Sequence, residues 1–103
     1  MKYGEIMKLD SHYLVGLDDD TAKMVRALAV HHFEVYRGNK GLINDPSTMR
    51  LALRHAKGDL AVLALGDIWY LLSNETDQSE EKLRDKGLAI LSSLRASVGI
   101  YRV

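Results

Sequence analysis

The chain has no cysteine, which excludes disulfide bridges, cysteine-held metals and a thiol nucleophile, and fits a reducing cytosol. It has no net charge, because 14 Lys and Arg balance 14 Asp and Glu. No global field therefore draws it to nucleic acid or to an anionic membrane. Weak colloidal repulsion instead favours self-association. It also lacks a long apolar run. The longest, Leu60 to Leu72, contains Asp67 and is too short and too polar to span a bilayer. The opening residues, MKYGEIMKLD, lack the apolar core of a signal peptide, so a soluble, cytoplasmic protein is expected. No phosphate-binding glycine loop, metal-ligand spacing or nucleophile–base motif stands in the chain. No catalytic residue, cofactor or metal is expected.

What is present is helical. Hydrophobic residues at 47% and charged residues at 27% are ordinary globular values, so residues 1–103 are read as one domain with its own core. The stretch LAVLALGDIWYLL, Leu60 to Leu72, is apolar all round and must be wrapped by neighbours or by a partner. Gly58-Asp59 opens it, with Asp59 as the expected cap, and Ser73-Asn74 closes it.

Three further helices are legible. Asp18-Asp19-Asp20-Thr21 suits a helix start by capping free N–H groups, and Gly38 stops that helix after Arg37. At about 100° per residue, Met24, Val25, Leu28, His32, Val35 and Tyr36 share one face. Val30 and Phe33 fall outside it and imply a second contact. Leu42 and Ile43 should pin the following loop. Asp45-Pro46 starts the next helix, with Met49, Ala52, Leu53 and Ala56 inward. The last begins near Asp77 to Glu80, where Asp77 with Glu80 reads as a capping box and Ser79 is the other candidate cap. Its stripe is Leu83, Gly87, Ile90, Leu91, Leu94 and Val98, and Gly99 should end it. Gly87 inside that stripe implies a close backbone approach, with Gly66 as the natural counterpart. The ends are expected to be short and poorly structured, with Ser11 to Leu17 extended or irregular. Residues 1–9 are ambiguous, and Ile100 to Val103 could pair with the β-prone segment Ser11 to Leu17.

The fold expected is all-α: four main helices as two antiparallel helical hairpins, packed as a bundle or a short helical-repeat stack. A shift of 37 residues aligns Val25-Arg26-Ala27-Leu28 with Val62-Leu63-Ala64-Leu65, and His32 with Trp69. Leu65-Gly66 followed by Trp69 resembles the leucine–glycine–aromatic spacing in the first helix of tetratricopeptide repeats. The resemblance covers residues 22–94 and implies stacked helical hairpins. The chain departs from that pattern in a late second-helix alanine, long loops and a missing closing proline.

Few residues invite a chemical role. His31 and His32 are adjacent on a helix, point about 100° apart and cannot share a metal. Glu34 lies three residues from His31 and suits a surface hydrogen bond. His32 falls in the apolar stripe, the place of a core histidine. Asp67 needs a partner if buried, and His32, Arg50 and Arg54 are the candidates. Arg50, Arg54 and Lys57 form a basic stripe that could contact phosphate. A helix-turn-helix reading fails, because its recognition helix would be LAVLALGDIWYLL, with almost nothing polar to read base edges.

Three function classes result. The favoured one is a non-enzymatic, intracellular protein–protein interaction module, such as a small adaptor, chaperone or inhibitor, or a homodimer. Val30, Phe33, Tyr36, Trp69 and Tyr70 are its expected contacts. The second is a DNA- or RNA-associated regulator using Arg50, Arg54 and Lys57. The third is a ligand-binding or enzymatic bundle with His32 and Asp67 in one pocket.

Overall fold

The computed structural model describes residues 10–41, 43, 45–56, 58–75 and 79–100. Four α-helices follow a single 3-10 turn, His12–Gly16: α1 (Asp19–Tyr36), α2 (Pro46–His55), α3 (Asp59–Ser73) and α4 (Glu80–Ile100). No strand occurs among the described residues. The fold is thus all-α, as the periodicity predicts. The expectations for residues 1–9, Leu42, Lys57, Asp77 and the tail 101–103 fall outside the described residues.

The helix boundaries have local causes. Asp18 caps α1, its Oδ1 accepting from the Thr21 N–H at 2.7 Å. Gly38, at φ +83°, turns the chain away from the helix end. Asp45 caps α2 through Oδ2, which accepts from both the N–H and the hydroxyl of Thr48 at 2.9 Å. Ser79 caps α4 by accepting from the Lys82 N–H at 3.3 Å. The expected cap of α3 is corrected. Gly58, at φ +88°, holds the capping position without a side chain, and Asp59 is the first helical residue. Asp59 turns to α4 instead, taking two hydrogen bonds from Arg84 at 3.1 and 3.0 Å. Asn74 closes α3 in the left-handed conformation that asparagine tolerates.

Two expectations about the ends are overturned. Residues 12–16 form a 3-10 turn rather than an extended segment, because Ser11 caps them and Leu14 is buried beneath. Gly99 does not end α4, which runs to Ile100.

α3 is the hub. Its buried residues run unbroken from Ala61 to Trp69. α4 and α1 supply its largest contacts, and the 3-10 turn packs on it as well. The glycine expectation holds in substance, with an altered register. Gly66 does not face Gly87. A Cβ on Gly66 would lie 2.0 Å from the Leu83 carbonyl oxygen, and one on Gly87 would lie 2.1 Å from that of Val62. Each glycine therefore lets one helix backbone rest on the other, one turn apart, and the crossed register makes α3 and α4 antiparallel.

α1 and α3 run parallel. His32 meets Trp69 toward their C-terminal ends, while Leu60 lies over Gly16, just before α1. α2 contacts both α1 and α4. These contacts tie the four helices into one bundle. A radius of gyration of 12.5 Å matches the roughly 13 Å of a compact chain this long.

The core follows the predicted stripes on α2 and α4, with Leu53 only half-buried. On α1 the buried face is rotated. Ala22, Val25, Leu28, Ala29, Val30, His31 and Phe33 are buried, whereas Val35 and Tyr36 are exposed. Three helices and the loop at Gly41 and Ile43 surround α1, so it buries more than one stripe. No described helix is long and apolar enough to cross a membrane.

Candidate functional site

Trp69 sits at the centre of an aromatic cluster where the C-terminal ends of α1 and α3 converge. Phe33, Tyr36 and Tyr70 meet its ring near edge-on, with centroids at 5.5, 5.3 and 5.8 Å. Such geometry sets positive ring edges against negative faces. The Lys86 Nζ lies 4.0 Å from the Trp69 ring centre, a cation over the ring face. The indole Nε1–H donates to His32 Nδ1 at 3.1 Å. Arg37 covers Phe33 at 5.5 Å. Rings, a cation and a hydrogen-bond acceptor thus hold the indole in place.

Over this cluster lies an open groove of about 520 Å³. α1 contributes Phe33 and Tyr36, with Arg37 just after it, and α3 contributes Trp69, Leu72 and Ser73, with Asn74 and Glu75 just after it. Tyr36 is 70% exposed although its ring is braced on Trp69. Val35 and Leu71 are also exposed at this end of the molecule.

The expected interaction residues therefore need correction. Val30 has 0% exposure, and Phe33 and Trp69 are buried too. The apolar surplus read from their positions is absorbed inside the chain, because α1 has neighbours on several sides. Tyr70 is half-buried, and only Tyr36 of the five is openly exposed.

The pair His32 and Asp67 is not formed. Residues two apart on a helix point about 200° apart, so Asp67 leaves α3 on another side from Trp69. Asp67 is 6% exposed and its Oδ2 accepts the Ser11 hydroxyl hydrogen. Neither His32, Arg50 nor Arg54 serves it. His32 serves the indole instead, so the two groups are engaged by different partners. The expected bond from His31 to Glu34 is also absent. His31 is buried, and its Nδ1 accepts from the Ile43 backbone N–H at 3.3 Å, while Glu34 accepts from the Asn39 amide at 2.8 Å.

Burial holds the His31 imidazole below its ordinary pKa of 6.5. Burial comes first for His32 as well, followed by the nearby Lys86 and His31 charges, all in the same direction. Arg50 and Arg54 are exposed on α2, and the Asp45 cap is held ionised first by its hydrogen bonds from Thr48 and only last by Arg50. Among the described residues, no three His, Asp or Glu side chains gather closely enough to share a metal.

Leu72, Asn74, Glu75 and Lys86 were not legible as parts of this site. The α3–α4 register brings Lys86 to Trp69, and that register depends on backbone contact at two glycines. A lone lysine on an amphipathic helix carries no such signal. No family model matches the chain, and no curated protein or solved structure matches it either.

Proposed function

We propose that this chain is a non-enzymatic, intracellular protein-interaction module that receives a segment of a partner protein in the groove at the C-terminal ends of α1 and α3. The observation that carries this reading is Tyr36, a largely exposed ring fixed edge-on against the buried Trp69. A rigid exposed aromatic contributes contact area with little ordering cost on binding, which is why tyrosine is common at interface hot spots. The groove is open, and Arg37, Ser73, Asn74 and Glu75 line it beside Tyr36, so it suits a peptide segment that packs on the tyrosine ring and meets these polar groups. An adaptor, chaperone or inhibitor role uses such a surface.

A photo-crosslinking residue placed at position 36 tests the proposal, with a control at the exposed Ser92 on α4. A discrete adduct from position 36 alone is expected, and its mass tells a second copy of the chain from another protein. Equal labelling from both positions, or no adduct at 36, would overturn the proposal.

A further inference from the structure

His31 and His32 follow one another on α1, so their rings meet different neighbours. Both nevertheless use the same atom in the same way. His31 Nδ1 accepts from the Ile43 amide at 3.3 Å, and His32 Nδ1 accepts from the Trp69 indole at 3.1 Å. Neither partner can reverse its role, since a backbone amide nitrogen and an indole nitrogen only donate. Each imidazole must therefore be neutral, with its proton on Nε2. A second proton, on Nδ1, would set one donor against another.

The surroundings offer no relief. The His31 ring is packed against Gly41, where a Cβ would lie 2.2 Å from Nδ1, so water reaches that nitrogen only if the loop retreats. The charged or titratable groups acting on His32 are Lys86 from α4 and His31 from α1, and α3 presents the indole. For His31 the lowering comes from burial. Among the described residues, no carboxylate from any helix or from the loop compensates a charge on either ring.

We propose that His31 and His32 form an acid-sensitive latch, whose protonation frees the chain at Gly41 and Ile43 from one side of α1 and Trp69 from another. The latch does not depend on the function proposed above. Since Trp69 lies in the groove, however, acidification would also reshape that surface.

Nitrogen-15 NMR of the full chain tests this from about pH 8 to about pH 5, the range over which histidine changes charge. At the upper end both rings should be Nε2–H tautomers. Both should titrate below 6.5, the ordinary value. Measured relative to the intrinsic exchange rate at each pH, the protection of the Ile43 amide and the Trp69 indole proton should fall by about tenfold across those midpoints, the scale of one lost hydrogen bond. His31→Asn and His32→Asn each keep an acceptor near Nδ1 but do not titrate. The first should abolish only the Ile43 transition, and the second only that of Trp69. Nδ1–H tautomers, midpoints at or above 6.5, or unchanged Ile43 and Trp69 signals while the rings titrate would overturn the latch. The titration of the native chain decides this even if an Asn variant does not fold.

Discussion

Asp67 is a buried carboxylate in an otherwise apolar stretch, and Ser11 supplies the hydroxyl that makes its burial tolerable. Ser11→Ala removes that donor and should destabilise the fold by about 1–3 kcal/mol, the usual cost of leaving a buried polar group short of a partner. Asp67→Asn keeps an acceptor for the same hydroxyl and should cost less. Urea unfolding of the two variants checks the order, and the reverse order would contradict this role for Ser11. The histidines add a pH dependence. Their folded pKa values lie below 6.5, so above that pH both states are neutral and stability is unaffected. As pH falls through 6.5 the unfolded chain gains protons first, and stability is lost. The capping carboxylates Asp18 and Asp45 add a second, lower window. Their hydrogen bonds to Thr21 and Thr48 hold them below 3.8, so their contribution is present above 3.8 and vanishes as pH falls through the folded values. Thermal melts across the two windows should show two separate declines, and replacing both histidines by Asn should flatten the upper one.

Between helices, the decisive contact is backbone on backbone. In an isolated helix, Gly→Ala gains about 1 kcal/mol. At Gly66 and Gly87 the sign should reverse, because the added methyl meets a carbonyl oxygen that belongs to the other helix and cannot turn aside. Each substitution should cost roughly 3 kcal/mol, the upper range for overpacking. Ser92→Ala, on the exposed face of α4, is the control and should change little. Calorimetric melting of the three variants checks this. The stripe on α4 was legible because its apolar residues face one continuous seam. The stripe on α1 was not, because α1 is enclosed on several sides and periodicity marks a single face only. The 3-10 turn was read as β-prone because local propensity in SHYLVGL says nothing of the buried carboxylate, 56 residues away in sequence, that fastens it.

For the whole molecule, α3 as the wrapped hub was legible from composition alone, since a helix without a polar face has nowhere else to go. The candidate groove was only partly legible. Tyr36 and Trp69 could be singled out as aromatics, but burial of Val30 and Phe33 depends on how many neighbours α1 acquires. One hub touching three of the other four elements predicts a single cooperative unfolding transition. Trp69 fluorescence and far-ultraviolet circular dichroism should then give superimposable urea curves. The most direct test of the proposed function is the affinity of the partner captured at position 36, for the native chain and for Tyr36→Ala. Because Tyr36 is mostly exposed, the unfolding midpoint should barely move, while binding should weaken about thirtyfold, the loss expected at a hot spot of about 2 kcal/mol. Undiminished binding by a stably folded Tyr36→Ala chain would contradict the groove as the site of recognition.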